Sequence, residues 1–93
     1  MNDSAKPVVN QEYVVEQFDD EMLLYSKTAT RAVYLNETAH AVWLLCGAGL
    51  SVGQIIEHLE QIYPEQKDQI SDDVHTTLEM FAVNHVIELI DGK

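Results

Sequence analysis

Residues 31–46 read RAVYLNETAHAVWLLC, and the spacing of their apolar side chains changes within this run. Before Asn36 the pattern alternates, so that Val33 and Leu35 would share one face of a strand. After Asn36 apolar residues recur three and four positions apart, at Ala39, Val42, Trp43 and Cys46. Asn is also a favoured residue at a helix N-cap. The run therefore predicts a strand that leads directly into a helix.

The segment before this junction predicts two more strands. Residues 13–18 and 21–26 are rich in strand-forming side chains, and only Asp19-Asp20 separates them, as in a tight hairpin. Together with residues 31–35 they predict a three-stranded antiparallel sheet. Residues 1–10 combine a proline with few apolar side chains, so we expect a flexible tail there and one domain over residues 11–93.

Three helices and a final strand are predicted after the sheet. The first helix should end at residues 47–49, where Gly-Ala-Gly supplies a left-handed terminus. The second begins at Ser51 with a capping box and stops before Pro64. The third takes Ser71 as its N-cap and runs to about residue 85, and residues 87–90 form a last strand. The fold class is therefore α+β, arranged like a winged helix-turn-helix protein.

Charge restricts the partners of this chain. It has 16 acidic and 5 basic residues in 93, a formal net charge of −11. Nucleic acids and anionic membranes are bound mainly through Lys and Arg, so we expect neither as a partner. No apolar run approaches the ~20 residues of a membrane span, and the first ten residues do not resemble a secretion signal, which favours the cytoplasm.

The residues that usually carry chemistry do not form a recognisable site. No two of the four histidines are four positions apart on one helix, and no cysteine pair accompanies them, so we expect no metal and no other cofactor. Cys46 lies on the apolar stripe of the first helix and is expected to be a buried thiol. Without a nucleophile motif or a phosphate loop, the sequence predicts a protein that is not an enzyme.

The third predicted strand is a candidate for binding. A short edge strand offers unpaired backbone groups to which an extended peptide can add as another strand. Helix three has a second apolar face, which includes Met80 and Val83, in addition to the one that would enter the core.

Several short motifs in this order resemble the PqqD family, the peptide-recognition domains of ribosomally made, modified peptide pathways, also called RiPP recognition elements. The resemblance spans about residues 13–90. Its most specific part is Leu24-Tyr25 followed by VYLNETA at residues 33–39. Similar residues also occur downstream, at Ile55-Ile56, Tyr63-Pro64, Asp73-Val74, Leu78 and residues 86–89.

The resemblance implies a non-catalytic adaptor that binds the leader segment of a precursor peptide. The leader would add to strand three beside helix three and be presented to a modifying enzyme, such as a radical S-adenosylmethionine protein or a peptidase. One wall of the site would then be the backbone of Arg31, Ala32, Val33, Tyr34 and Leu35. The opposite wall would be Val74, Thr77, Leu78 and Phe81.

Two other functions are compatible with the same pattern. A winged helix-turn-helix fold is often a nucleic-acid binder, but the charge of this chain opposes that role. The same sheet edge could instead serve a protein-interaction module that pairs with a partner or with a second copy, as a homodimer, without a leader peptide.

Overall fold

The computed structural model describes residues 3–28 and 32–90. Its elements within those ranges are β1 Lys6–Val9, β2 Tyr13–Phe18, β3 Glu21–Ser26, β4 Ala32–Leu35, α1 Glu37–Gly47, α2 Val52–Ile62, a 3₁₀ turn at Pro64–Gln66, α3 Lys67–Val83 and β5 Ile87–Ile90. The predicted α+β class, with a three-stranded antiparallel sheet followed by three helices, is confirmed.

The sheet has the strand order β2-β3-β4, and both pairs are antiparallel. Asp19 and Asp20 connect the first pair, in which Phe18 lies opposite Glu21. Asp19 adopts a φ of 52°, a left-handed conformation that Asp tolerates better than most residues and that a two-residue hairpin connection requires. The hairpin predicted at this dipeptide is confirmed.

The start of the chain differs from the sequence prediction. Residues 6–9 form β1, which pairs antiparallel with β5 so that Val9 lies opposite Ile87. The sequence predicted a flexible tail over residues 1–10, whereas residues 6–9 are a strand in this structure. Four residues with one proline carry too little periodicity to predict a strand, and the partner that orders them lies at the other end of the chain.

The residues before β1 are bound to the helices. The Val52 N–H donates to the Ala5 carbonyl (2.9 Å), and the Gly53 N–H donates to the Asp3 carbonyl (2.8 Å). A Cβ at Gly53 would lie 3.3 Å from that Asp3 oxygen, so glycine permits the close approach. The Asp3 carboxylate is also 2.8 Å from Nε2 of His75 on α3.

The predicted ends of the first two helices are confirmed. Asn36 caps α1, because its side-chain oxygen accepts from the Ala39 N–H at 2.8 Å. Ser51 and Gln54 form both hydrogen bonds of the capping box at the start of α2. After α1, Gly49 has a φ of 80°, the left-handed conformation expected of a glycine at that terminus.

The predicted start of α3 is wrong by one turn. The helix begins at Lys67, directly after the 3₁₀ turn, and not after an N-cap at Ser71. Gln66 precedes it without a side-chain capping bond. Ile70 in this additional turn is only 3% exposed, so burial of its side chain stabilises the turn where no cap does.

The core lies between the sheet and the three helices. Trp43 of α1 meets Phe81 of α3 edge to face, with ring centroids 6.2 Å apart, a geometry that aromatic pairs prefer. The largest fully buried side chains are Phe81, Leu24, Ile55, Leu59, Leu78, Val42, Val52, Val74 and Val86. All three helices and the central strand of the sheet thus contribute to one cluster.

Candidate functional site

The hydrogen-bond pattern of the β2–β3 hairpin determines which backbone groups of β3 face β4. Phe18 and Glu21 close a two-residue turn, so they form a hydrogen-bonded pair. The same alternation makes residues 12 and 27 such a pair, and the Lys27 N–H does donate to the Glu12 carbonyl at 2.8 Å. The odd-numbered residues of β3 therefore bond to β2, and the even-numbered residues face β4.

This pattern identifies the open backbone groups of β4. Val33 lies opposite Leu24, and Leu35 lies opposite Met22, so both use their N–H and C=O groups on β3. Ala32 and Tyr34 consequently direct theirs away from the sheet. Because β4 is the last strand in the order, these two residues supply the unpaired donors and acceptors of its edge within the described residues.

The side chains of β4 alternate as the sequence predicts. Leu35 is buried and Val33 is half-buried against the core. Tyr34 is 68% exposed on the outer face of the sheet, where Phe18 and Tyr25 are also exposed. A strand added to this edge would extend the outer face with every second side chain and direct the others toward α3.

Helix α3 runs antiparallel to β4. The C-terminal end of α3 lies at β2, where the Tyr13 hydroxyl donates to the Asn84 carbonyl at 3.1 Å, and this is the end of the sheet at which β4 begins with Ala32. At the opposite end, Thr77 lines a cavity together with Asn36, the residue directly after β4. The valley between strand and helix is called the β4–α3 groove below.

The predicted helix wall is mostly core. Val74, Leu78 and Phe81 are each 0% exposed, so in this structure they offer no surface to a bound peptide. All three belong to the hydrophobic core cluster that the sheet and the helices share. Thr77 is the exception among the predicted wall residues, because it is half-buried and borders the cavity at the end of β4.

Other residues on the Thr77 flank of α3 were not predicted as site residues. Asp73 and Thr76 line the cavity with Thr77. Met80 follows Thr77 by three positions and is half-buried, and Val83 follows Met80 by three and is 76% exposed. The second apolar face seen in the sequence was the available signal for Met80 and Val83; no periodic signal distinguishes the polar residues.

Opposite charges lie near the two ends of the groove. Asp73 on α3 and Glu37 in the first turn of α1 are exposed near the C-terminal end of β4. Lys27 is exposed just after β3, near the N-terminal end of β4. Arg31, the fifth predicted strand residue of the site, lies outside the described residues.

A cavity of about 700 Å³ occurs elsewhere, between β1, β5 and the end of α3. Ala82 and His85 contribute to it from the helix side. Ala82 is on the other flank of α3 from Thr77, since five helical residues turn through about 140°. None of the predicted site residues lines this cavity.

The described residues contain no metal-binding group and no membrane-spanning helix. No three His, Cys, Asp or Glu side chains in residues 3–28 and 32–90 form a group that could hold a metal ion. No helix in those ranges combines the length and apolar character needed to cross a membrane. Cys46 is buried as predicted, and desolvation raises the pKa of its thiol to about 12.

Comparisons with known proteins give the fold and the family of this chain. No curated protein sequence matches the chain. The solved structure of TbiB1 in complex with the TbiA(beta) leader peptide is similar, with a TM-score of 0.73 and 18% sequence identity over 87% of this chain and 94% of that one. That likeness shows a shared fold. The family model of the coenzyme PQQ synthesis protein D matches residues 21–87, which include the edge strand, the strand-to-helix junction and all three helices. The chain therefore belongs to the PqqD family, as its motifs predicted.

Proposed function

We propose that this protein is a non-catalytic adaptor that captures the leader segment of a ribosomally made precursor peptide. The leader adds as a strand to β4, within the β4–α3 groove, and is presented to a separate modifying enzyme. The observation that carries this proposal is the open edge of β4, where Ala32 and Tyr34 direct their backbone groups outward beside an exposed flank of α3. The leader peptide of the TbiB1 structure supports the class of ligand.

Strand addition explains how so small a surface can be selective. Main-chain hydrogen bonds to Ala32 and Tyr34 provide affinity that does not depend on the leader's sequence. Alternate leader side chains then face the helix, where Thr77 and Met80 are half-buried and Val83 is exposed. Selectivity comes from those alternate positions, because the side chains between them lie on the outer face of the sheet.

An adaptor does not modify the precursor itself, so a separate enzyme must carry out the modification. A radical S-adenosylmethionine protein or a peptidase is the kind of enzyme that such an adaptor serves, as the family resemblance implies. We place the complex in the cytoplasm, where ribosomal precursors are made. The adaptor then needs only to hold the leader long enough for the enzyme to act on the remainder of the precursor.

Selection from a random 15-residue peptide library on the immobilised full-length protein tests this function. An enriched peptide is then titrated into ¹⁵N-labelled protein. We expect amide shifts in Ala32–Leu35 and on the flank of α3 that contains Thr77 and Met80. Shifts centred on β1 and β5, or no enrichment above an unrelated protein, would overturn the proposal.

The protein-interaction module gives a different result in the same experiment. If the β4 edge pairs with a second copy, sedimentation should show a concentration-dependent dimer without peptide, and the shifts at Ala32–Leu35 should follow protein concentration. A monomer that acquires those shifts only with peptide supports the adaptor.

A further inference from the structure

The cavity at the end of β4 differs in chemistry from the rest of the groove. It has a volume of about 230 Å³ and is lined by polar side chains from the strand-to-helix junction and from α3: Asn36, Thr38, Asp73, Thr76 and Thr77. Three hydroxyls, one amide and one carboxylate thus surround it. An apolar side chain placed there would exclude water from these groups without replacing their hydrogen bonds, which is unfavourable.

The polar groups of this cavity are available to a ligand. Asn36 is an exception, because its side-chain oxygen already accepts the hydrogen bond that caps α1. Within residues 3–28 and 32–90, the side chains of Asp73, Thr76 and Thr77 make no hydrogen bond and no ion pair. The hydroxyl oxygens and the carboxylate can therefore all accept from a donor that enters the cavity.

The carboxylates near the cavity favour a cation over an anion. Asp73 is a carboxylate on its lining, and Glu37 is exposed between Asn36 and Thr38, which both line the cavity. The whole chain carries a net charge of −11, so its field also opposes an anionic side chain. A neutral amide could form hydrogen bonds here but would gain nothing from the carboxylate.

We propose that this cavity is a subsite for one Lys or Arg side chain of the bound leader, held by the Asp73 carboxylate and the Thr76 and Thr77 hydroxyls. This inference rests on the proposed function, because the leader must lie along β4 for its side chain to reach the cavity. The subsite fixes the register of the leader, because it holds a basic residue at the C-terminal end of β4. That position determines which leader residues pair with Ala32 and Tyr34. Strand addition alone leaves that register weakly specified.

The size of the effect follows from the exposure of Asp73. A hydrogen bond to a charged group is stronger than one between neutral groups, but solvent weakens an ion pair at an exposed carboxylate such as Asp73. Removal of the Asp73 charge should therefore weaken a peptide with the basic residue by about tenfold at low salt, and by less at high salt. The same change should not weaken a peptide in which that basic residue is replaced by Gln.

The test is a library selection on four forms of the full-length protein: wild type, Asp73→Asn, Asp73→Lys and Asp72→Asn. The probe is a random 15-residue peptide library. Asp72→Asn is the matched control, because it removes one carboxylate from the same helix at a position that does not line the cavity. We expect a fixed Lys or Arg position in peptides from wild type and Asp72→Asn, its loss with Asp73→Asn, and Asp or Glu there with Asp73→Lys.

The outcomes separate this inference from the function on which it rests. Enriched peptides that shift the amides of Ala32–Leu35 but have no basic position, or keep it with Asp73→Asn, would overturn the subsite and leave the adaptor standing. Peptides that enrich without any shift in Ala32–Leu35 would overturn the adaptor and the subsite together.

Discussion

Val33 lies opposite Leu24 in the β3–β4 ladder, and its backbone N–H and C=O therefore bond to the sheet and not to the open edge. Its neighbour Tyr34 has the reverse arrangement, with an outward backbone and a 68% exposed side chain. Two adjacent residues of one strand thus serve different purposes. One holds β4 in the sheet, and the other is available to a ligand.

Tyr34→Pro should weaken peptide binding far more than it weakens the fold. Proline removes an outward N–H without removing a bond to β3, and edge strands tolerate it. We expect a loss of at least about tenfold in affinity for a library-selected peptide, because one hydrogen bond is lost and the ring obstructs the added strand. Calorimetric titration gives the affinity, and urea denaturation gives the stability.

Two controls make this experiment specific. Tyr34→Ala removes the same side chain but keeps the N–H, so it should retain most of the affinity. Val33→Pro removes a donor that faces β3, so it should lower the free energy of unfolding by about 3 kcal/mol or more. If Tyr34→Ala weakens binding as much as Tyr34→Pro, the tyrosine ring carries the affinity and strand addition is wrong.

Phe81→Leu should change stability and not peptide binding. Phe81 is 0% exposed and packs edge to face on Trp43, so the smaller side chain leaves a cavity in the core. We expect a loss of about 1–2 kcal/mol in the free energy of unfolding, with an unchanged dissociation constant at a temperature where the variant is folded. A folded variant that loses binding tenfold would return Phe81 to the peptide-contacting wall.

Asn36→Ala tests the cap at the strand-to-helix junction. The substitution removes the acceptor of the 2.8 Å hydrogen bond from the Ala39 N–H and should cost about 1 kcal/mol of stability. Asn36→Ser keeps a capping oxygen and should restore most of that loss. Equal destabilisation by both variants in urea denaturation would show that the cap contributes little and that tertiary packing alone positions α1.

The Cys46 thiol should be unreactive in the folded protein. Burial raises its pKa from 9.0 to about 12, so almost no thiolate exists at pH 8. Labelling by Ellman's reagent should be slow under native conditions and fast in urea. Rapid native labelling would mean that α1 opens far more readily than its packing indicates.

The same shift predicts a dependence of stability on pH. The folded-state pKa of Cys46 lies above the unfolded value, so the folded state retains its proton longer. The thiol therefore does not lower the free energy of unfolding below about pH 9. As the pH rises toward 12, the unfolded state releases the proton first, and the free energy of unfolding falls. Cys46→Ala should show a shallower loss of stability than wild type over that interval, measured by denaturation at fixed pH.

Local periodicity and capping chemistry were sufficient to predict much of the fold. The switch at Asn36, the dipeptide Asp19-Asp20 and the capping box at Ser51 each act within a few residues, and each is confirmed. The start of α3 was wrong because Ser71 resembles a cap locally, whereas the buried Ile70 extends the helix beyond it. Tertiary packing outweighed a local signal there.

The sequence by itself determined the order of the elements from β2 to β5, the acidic character of the chain, the edge strand and the family, because all of these depend on local pattern or on composition. Only the tertiary structure decided that β1 pairs with β5, that Val74, Leu78 and Phe81 are fully buried, and that Asn36 and Thr77 border one cavity. The physical reason is the distance along the chain over which each kind of interaction acts. A periodic pattern shows which residues share a face of one element, but burial and cavities depend on which faces of different elements meet, and those contacts join residues far apart in the chain.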